Sequence, residues 1–460
     1  MQNTNINIAD YQELNDNLLT TLLNGVFFED WKKPCPSTNL EIIFSPNCNL
    51  KCEYCYIARN NKGIYTEHFP FNTKTAIQNT IILLNFLDKH GLHPDIDIFS
   101  GELFAAESGF QLLETILEFY KTHSNNKPKY IMIPTNGTFI QEDALKERII
   151  NLQKKFDNIE IHLALSISID GYYVDNVTRV YKKDVQFNLQ KDYTLSQEFY
   201  NKIYSFMQET NSLPHPMVSA EAIEHWKDNF EWFKQMHEKY QIDIKHLYLL
   251  EVRNANWTKE KIKCFTDFIS YLMDEAYYNI CNQDKDMFLK FLWGDESVTP
   301  LPGWNILSAP LREPRSGASC TIGKHLMIRI SDFTIFPCHR LLYPHFKWGT
   351  MKFDKNYELT LHSDNVELAT TIIGVTPSRQ PICNQCLIYP FCYQGCYGSQ
   401  YETTCDIFTP IPSVCNLLYA KLITILRKVK EYGILSDYIE KVNELYQPQL
   451  ILVLQQENLL

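Results

Sequence analysis

Short apolar runs alternate with amphipathic stretches through the first 170 residues of the chain. Apolar residues at helical spacing predict a helix before Thr38, and the run Leu40–Phe44 then predicts a buried strand. The pattern continues with predicted strands at Asp95–Phe99, Tyr130–Pro134 and Ile159–Ile169, and with predicted helices at Lys74–Lys89, Gly109–His123 and Glu142–Lys155. Strands that alternate with helices in this way predict a parallel sheet built from right-handed βαβ units.

The alternation becomes less regular after Gly171. The polar and aromatic stretch 184–211 is predicted to be a helical insertion, and strand and helix signals then return at Pro216–Ser219, Ala222–Tyr240, Ile244–Val252 and Lys259–Asn282. From about Pro300 the composition changes to Pro, Gly and Cys. These changes predict a helical lead-in over residues 1–38, a first domain over 39–299, a cysteine-rich domain over 300–415 and a helical segment over 416–460.

The composition excludes several classes of protein. Of 460 residues, 45% are hydrophobic and 21% are charged, which is typical of a globular chain with a sizeable core. A net charge of −11 argues against a nucleic-acid partner. No apolar run approaches the roughly 20 residues that cross a bilayer, and the amino-terminal residues do not resemble a secretion signal. We therefore expect a cytoplasmic protein without a membrane partner.

The fourteen cysteines are concentrated in two regions. A reducing cytoplasm disfavours disulfides, so clustered cysteines predict metal ligands. The first region, Cys48, Cys52 and Cys55, has the spacing C-x3-C-x2-C, which chance would produce in roughly 0.01 of random chains of this composition. A structural zinc site takes four ligands, whereas a [4Fe–4S] cluster held by three thiolates leaves one iron open. A zinc site with a distant fourth ligand is the alternative.

With Tyr54 before its third cysteine, this motif resembles the loop after the first barrel strand of the radical S-adenosylmethionine (AdoMet) superfamily. The resemblance implies that Cys48, Cys52 and Cys55 hold a [4Fe–4S] cluster whose open iron binds AdoMet, with Tyr54 against the adenine. It also implies that reduction cleaves AdoMet to methionine and a 5′-deoxyadenosyl radical, which takes a hydrogen atom from the substrate.

Two further loops are similar to those of the same family. Ser100–Phe104 resembles its Gly-Gly-Glu-Pro loop, with Ser and Leu in place of the first Gly and the Pro. The resemblance implies that Glu102 accepts hydrogen bonds from the AdoMet ammonium and that Gly101 allows a close approach of the backbone. Asn136, in Thr135-Asn136-Gly137, occupies the family's turn after the third strand and is a further candidate for cofactor binding.

The stretch after the fourth predicted strand resembles the family's Ser-Ile-Asp-Gly segment, followed by Asp175 and Arg179. The resemblance implies that Ser166 or Ser168 reaches the ribose and that Arg179 pairs with the AdoMet carboxylate. A core-facing serine and a surface arginine are the alternatives.

The second cysteine region extends from Cys320 to Cys415. Its core, Cys383 to Cys396, reads C-x2-C-x5-C-x3-C, and it is preceded by Cys320 and Cys338 and followed by Cys415. Together these seven cysteines resemble the SPASM extension of radical SAM peptide-modifying enzymes. The resemblance implies two auxiliary [4Fe–4S] clusters, a distal one held by Cys383, Cys386, Cys392 and Cys415, and a proximal one held by Cys320, Cys338 and Cys396. The proximal fourth position is an open iron, His325 or Cys405. One or two zinc ribbons are the alternative, and Phe333 replaces the family's glycine.

His339 follows the second SPASM cysteine, where sulfatase-maturing relatives have an aspartate that acts as a base. We expect either a catalytic proton acceptor or a packed loop residue at this position.

The resemblance implies a partial (β/α)6 barrel, a SPASM domain and a carboxy-terminal helix. It predicts an enzyme that takes a hydrogen atom from a ribosomally made precursor peptide and installs a thioether or another cross-link. A protein-directed radical SAM enzyme of the sulfatase-maturing or activating type and a peptide epimerase are alternatives, and a non-catalytic iron–sulfur or zinc scaffold is another. The expected partners are the precursor peptide and an electron donor such as flavodoxin or ferredoxin. Because only 47 residues precede Cys48, we also expect a separate protein that binds the leader of the peptide. Recognition by the insertion 184–211, or a short leader, is the alternative.

Overall fold

The computed structural model describes residues 8–57, 71–123, 125–181, 195–243, 247–293, 306–307, 322–374, 381–392 and 395–460. These residues form two compact units. The first unit comprises Met1–Ile167, Tyr181–Thr194 and Thr321–Val375, and the second comprises Ser168–Val180, Leu195–Cys320 and Thr376–Leu460. These units differ from the domains expected from the sequence, whose limits at 38, 299 and 415 stay predictions.

The described strands are short and most of them are buried. They are β1 (Leu40–Ile43), β2 (Leu50–Cys52), β3 (Ile96–Phe99), β4 (Tyr130–Thr135), β5 (His162–Ile167), β6 (Arg179–Tyr181), β7 (Leu213–Pro214), β8 (Met217–Val218), β9 (Leu250–Glu251), β10 (Leu326–Arg329), β11 (Thr334–Phe336), β12 (Gly349–Phe353) and β13 (Leu359–Ser363). In the first unit they pair in the order β13-β12-β11-β10-β1-β3-β4-β5. The pairs from β10 through β1, β3 and β4 to β5 are parallel, and those from β10 to β13 are antiparallel.

Helices connect the parallel strands, as the sequence predicts. They are α1 (Ile8–Leu23), α2 (Glu29–Trp31), α3 (Thr73–Lys89), α4 (Glu107–Thr122), α5 (Asp143–Asp157), α6 (Asp175–Thr178), α7 (Gln197–Thr210), α8 (Trp226–Tyr240), α9 (Lys259–Asp274), α10 (Lys285–Trp293), α11 (Val366–Ile373), α12 (Pro381–Asn384), α13 (Tyr397–Thr404), α14 (Pro412–Glu431), α15 (Leu435–Lys441) and α16 (Gln447–Gln456). No helix in the described part of the chain is long and apolar enough to cross a membrane.

Burial alternates along β4 and β5, which shows that the two faces of the sheet have different surroundings. Ile131, Ile133 and Leu163 are buried, whereas Met132 and Pro134, on the opposite face, are only half-buried. Because successive side chains of a strand point to opposite faces, the buried apolar side chains lie on one face of the sheet, and the other face is free to carry polar groups. The paired strands align their ends, so the loops that follow them lie at the same edge of the sheet.

The predicted elements agree with the structure apart from four regions. Within 184–211, residues 184–194 lie outside the described residues, and α7 follows. Of the predicted strand Ile244–Val252, residues 244–246 lie outside the described residues, and only β9 (Leu250–Glu251) forms a strand. The helical segment predicted over 416–460 is divided among α14, α15 and α16 and the turns between them. The strand β10 was not anticipated as a parallel neighbour of β1. Its pairing depends on residues almost 300 positions apart, which a local hydrophobic pattern does not reveal.

The turn between β10 and β11 shows what replaces the family's glycine. Phe333 has φ of +58°, in the left-handed region, which costs an ordinary residue roughly 1–2 kcal/mol. Its ring is buried and packs edge-on against Phe353, with the ring centroids 4.8 Å apart. The turn therefore keeps the backbone conformation that favours glycine, and the buried phenylalanine offsets its cost.

Candidate functional site

The first cysteine motif forms a half-buried loop after β1. The backbone N–H of Leu50 donates to Cys48 Sγ at 3.4 Å, and the N–H of Cys55 donates to the carbonyl oxygen of Cys52 at 3.1 Å. Cys52 ends β2, and Tyr54 is half-buried between the last two cysteines. The three thiols belong to one continuous loop at the carboxyl end of a parallel strand, where α/β barrels place their active sites.

The loop after β3 lies directly against this cysteine loop. The N–H of Gly101 donates to the carbonyl oxygen of Ser45 at 2.7 Å, and that of Glu102 donates to the carbonyl oxygen of Asn47 at 2.7 Å. A Cβ atom on Gly101 would lie 2.2 Å from the Asn47 carbonyl oxygen. The contact therefore requires glycine, which gives the predicted Gly101 a physical reason.

Glu102 is a buried carboxylate with both oxygens fixed. Its Oε1 accepts hydrogen bonds from Phe104 N at 3.1 Å and from Thr135 Oγ1 at 2.8 Å. Its Oε2 accepts from Asn136 N at 2.6 Å. Because an ionised carboxylate offers about four acceptor positions, this arrangement holds Glu102 at the ends of β3 and β4 as an anchored anion that suits an ammonium group.

Asn136 connects the turn after β4 to the cysteine loop. Its Nδ2 donates to Asn49 Oδ1 at 2.8 Å and lies 3.9 Å from Cys48 Sγ, and its Oδ1 accepts from Thr138. Asn49 Nδ2 in turn donates to Thr138 Oγ1 at 3.0 Å. Sequence reasoning missed Asn49 and Thr138, although one lies inside the cysteine motif and the other follows the predicted Asn-Gly turn. Both side chains are fully buried.

The residues at this edge of the sheet fit the groups that the resemblance implies. Three thiols in one loop offer the ligands of a [4Fe–4S] cluster with one open iron. The buried Glu102 carboxylate and the close backbone approach at Gly101 suit the ammonium end of an amino acid. The donor set is therefore compatible with a cluster that binds AdoMet.

The predicted ribose and carboxylate contacts are less clearly placed. Ser166 is half-buried on β5, on the same face as Pro134, its partner on β4. Ser168 is half-buried just after that strand. Arg179 is only 1% exposed and pairs with Asp175 Oδ1 at 3.2 Å, so it is not a surface arginine. All three roles in AdoMet binding stay predictions.

His339 lies in a packed polar environment within the first unit. Its ring stacks on Phe99 at 4.4 Å and lies 5.3 Å from the ring of Tyr56. Its Nδ1 is 3.5 Å from Oε2 of the buried Glu41. Burial raises the pKa of Tyr56 well above its usual range, and the neighbouring Cys55 thiolate raises it further. His339 is thus a packed residue with an acidic partner, and its catalytic role stays a prediction.

The distal cysteines lie close together in the second unit. Burial, reinforced by neighbouring thiolates, raises the pKa of Cys383 to about 11. The contributing thiolates are those of Cys392, Cys415 and Cys386. Cys415 has its pKa raised to about 11 by burial and by two members of the same set. Thiolates of the same set therefore contribute to the raised pKa of both Cys383 and Cys415, which shows that these cysteines lie near one another.

The proximal set is described only in part. Cys320 lies outside the described residues, Cys338 belongs to the first unit and Cys396 precedes α13 in the second. Of the two candidates for its fourth ligand, His325 has Nδ1 2.9 Å from Glu41 Oε1, and Cys405 is an exposed residue after α13. The described cysteines are all outside disulfide bonds, which agrees with a metal-binding role.

Comparisons with known proteins identify the fold. No model of a protein family matches the sequence, and no curated protein matches it. Among solved structures, anSMEcpe with bound AdoMet matches with a TM-score of 0.55 and 15% identity over 86% of this chain and 99% of that chain. AnSMEcpe with AdoMet and the Cp18Cys peptide has a TM-score of 0.53 at 15% identity, over the same shares of both chains.

A third structure, Streptococcus suis SuiB bound to S-adenosylmethionine, has a TM-score of 0.43 and 13% identity, over 90% of this chain and 82% of that chain. With the parallel sheet and its connecting helices, the match to anSMEcpe confirms the predicted fold class. The chain therefore has the mixed α/β fold, with a parallel-strand sheet, that the radical SAM resemblance implies.

Proposed function

We propose that the protein is a radical SAM enzyme that modifies a ribosomally made precursor peptide in the cytoplasm. The observation that carries this proposal is the hydrogen-bonded contact between the cysteine loop and the loop of Gly101 and Glu102. This contact gathers three thiols, a buried carboxylate and a close backbone approach at one edge of a parallel sheet. Few other cofactors need this combination.

The residues of this edge have separate roles in the proposal. Cys48, Cys52 and Cys55 hold a [4Fe–4S] cluster, Glu102 accepts from the AdoMet ammonium, and Tyr54 lies against the adenine. Asn136 fixes the cysteine loop through Asn49. When bound, the cluster and AdoMet supply a 5′-deoxyadenosyl radical for removal of a hydrogen atom. A flavodoxin or a ferredoxin supplies the electron.

The second cysteine region holds two auxiliary clusters in this proposal. The contribution of Cys392, Cys415 and Cys386 to the raised pKa of Cys383 supports one shared distal cluster. Cys338 and Cys396, with Cys320, serve the proximal cluster. The remaining proximal position is an open iron in this proposal, which suits a substrate sulfur. This arrangement favours a thioether among the cross-links that the enzyme would install.

A peptide substrate is supported by the comparison with anSMEcpe, of which one solved structure contains AdoMet and the Cp18Cys peptide. His339 is proposed as the proton acceptor, since Glu41 contacts its Nδ1 and leaves Nε2 for the substrate side.

Reductive cleavage of AdoMet tests the cofactor part of this proposal. Anaerobically reconstituted protein is mixed with AdoMet and dithionite, and 5′-deoxyadenosine is measured by mass spectrometry. We expect the wild type to form 5′-deoxyadenosine and the Cys52→Ala variant to form none. The Cys264→Ala variant should form as much as the wild type, because Cys264 is a half-buried thiol on α9 outside the motifs. Stoichiometric zinc without sulfide, or no cleavage, would contradict the proposal.

Mass spectrometry of a co-expressed precursor peptide tests the substrate part. A loss of two hydrogens per modification indicates a cross-link, and protection of a cysteine from alkylation assigns a thioether. An unchanged mass with altered stereochemistry would instead indicate an epimerase. AdoMet cleavage without any change in the peptide would favour a protein-directed enzyme.

A further inference from the structure

Three metal-binding side chains meet inside the sheet of the first unit, below the cysteine loop. Glu41 on β1 is paired in register with Asp97 on β3, so both side chains lie on the same face. His325 precedes β10, the other neighbour of β1. One ligand atom from each of these three residues lies within 4.8 Å of the other two. The group contains no cysteine.

The donor atoms of this group are poorly satisfied by the protein. Glu41 is 4% exposed, and its buried Oε2 accepts no hydrogen bond. His325 Nδ1 lies 2.9 Å from Glu41 Oε1, and His339 Nδ1 lies 3.5 Å from Glu41 Oε2. An imidazole nitrogen and a carboxylate oxygen can both serve as metal ligands.

A buried carboxylate elsewhere in the same unit shows the contrast. Asp30 is 6% exposed, and its Oδ2 accepts from the backbone N–H groups of Ser37 at 2.7 Å and Thr38 at 2.9 Å. Buried carboxylates usually have such partners because an unsatisfied one is costly. Among the described residues, Glu41 Oε2 has a 3.5 Å contact with His339 Nδ1 and no well-formed hydrogen bond, so it keeps acceptor positions that a cation could occupy.

The charges of the group also favour a cation. Burial raises the pKa of Asp97 to about 6, and the nearby Glu41 carboxylate contributes to the rise. Asp97 Oδ2 lies 3.9 Å from His325 Nδ1 and accepts one hydrogen bond from Asn39. The imidazoles of His325 and His339 face Glu41, and a divalent ion shared by both carboxylates would offset the repulsion that remains between them.

We propose that Glu41, Asp97 and His325 bind a divalent first-row transition cation, with zinc or manganese as the candidates. Two carboxylates and one imidazole are ligands that both ions accept. Ligand atoms about 2.0–2.2 Å from one ion lie at most about 4.4 Å apart, so the group needs only a small contraction. Because Glu41 also contacts His339, the ion would fix that imidazole through the carboxylate. The site does not depend on the proposed enzymatic activity.

Metal analysis of the anaerobic holoenzyme tests the site. The protein is incubated with Zn²⁺ or Mn²⁺ alone, passed through gel filtration, and its zinc, manganese and iron are measured by mass spectrometry. We expect one equivalent of added cation in the wild type, and at least about tenfold weaker binding in Glu41→Gln and His325→Gln. The matched control Asp30→Asn removes a buried carboxylate of the same unit and should retain the ion.

These measurements distinguish a cation bound at Glu41, Asp97 and His325 from one bound to cysteines that hold no cluster. Added cation that is lost in Glu41→Gln and His325→Gln with unchanged iron content supports the proposal. Cation retained in both variants, or lost together with iron in proportion, overturns it. A wild type that binds neither ion overturns it without any variant, so a misfolded variant does not leave the question open. Protonated imidazoles would then balance the carboxylates.

Discussion

The two cysteine regions of the molecule are supported in different ways. The loop of Cys48, Cys52 and Cys55 lies at the end of a parallel sheet and is tied to two neighbouring loops by backbone and side-chain hydrogen bonds. The distal cysteines lie instead on the short helix α12, on the turns that follow it and near the start of α14. There the N–H of Cys386 donates to the Cys383 carbonyl oxygen at 3.0 Å.

The segment that carries Cys383, Cys386 and Cys392 has little other support among the described residues. Cys392 packs against a small cluster of Ile411, Val414 and Leu418, and Cys386 is exposed. The comparison indicates that the scaffold organises the first region before any cluster binds, whereas the distal region takes part of its structure from its metal. Cluster binding would then be coupled to folding in the distal region, whereas in the first region the cluster would enter a loop that is already folded.

Loss of the distal cluster has the largest expected effect. Structural metal sites contribute roughly 10 kcal/mol to the folding of small metal-binding domains. We expect the Cys383→Ala variant to lose the protection of residues 381–415 from hydrogen exchange, while the amides of 40–55 stay protected. Hydrogen exchange measured by mass spectrometry on the anaerobic protein provides the test.

The matched variant for this prediction is Cys52→Ala, which removes a ligand of the first region. It should leave the exchange of both regions nearly unchanged, since the hydrogen bonds of the first loop come from the protein. Equal loss of protection in the two variants would contradict the difference between the regions.

The buried ion pair behind the distal region has the next largest effect. Lys421, on the helix that carries Cys415, donates to Glu251 Oε1 at 3.1 Å, and both side chains are buried. Removing one partner of a buried pair costs about 3–5 kcal/mol. Lys421→Met should therefore lower the melting temperature by roughly 10 °C at pH 7. An unchanged melting temperature would show that the pair is not buried in solution.

The same pair predicts a pH dependence. Burial alone would raise the pKa of Glu251, but Lys421 and Arg253 outweigh it and hold the value at about 2. A carboxyl whose pKa is lower folded than unfolded stabilises the protein above its unfolded pKa, about 4.3, and loses this contribution as the pH falls towards 2. The difference between wild type and Lys421→Met should thus shrink between pH 5 and pH 2. Melting curves across that range measure it.

The preorganised loop is tested by Gly101→Ala. A Cβ atom there would clash with the Asn47 carbonyl oxygen, and forced overpacking costs about 1–3 kcal/mol. We expect at least tenfold weaker AdoMet binding by calorimetry on the reconstituted protein. Gly25→Ala is the control, because a Cβ atom there meets nothing within 4 Å. Equal affinity in the two variants would show that the loop adapts and is not preorganised.

The first unit shows which residues could be predicted from the sequence and which could not. Cys48, Gly101 and Asn136 could be predicted because each stands in a contiguous motif whose chemistry constrains the spacing. Glu41 could not, because it lies within the apolar run Leu40–Phe44 and its partner His325 is distant in sequence.

The sheet order shows the same limit. The parallel strands that are joined by helices could be predicted from their alternating pattern, whereas the pairing of β1 with β10 depends on tertiary packing. Local patterns therefore predict which residues carry chemistry, but not the distant residues that position them.

The smallest expected effect concerns the turn before Cys338. Phe333→Ala removes the ring packed on Phe353 but keeps a non-glycine residue at φ of +58°. Phe333→Gly removes the same ring and also relieves the backbone cost, about 1 kcal/mol. We expect both variants to be less stable than the wild type, with the glycine variant melting about 2–4 °C above the alanine variant. Because this turn belongs to the sheet of the first unit and not to the distal cysteine region, neither variant should change hydrogen exchange at residues 381–415. An alanine variant as stable as the glycine variant would mean that the turn relaxes out of the left-handed region when the ring is lost.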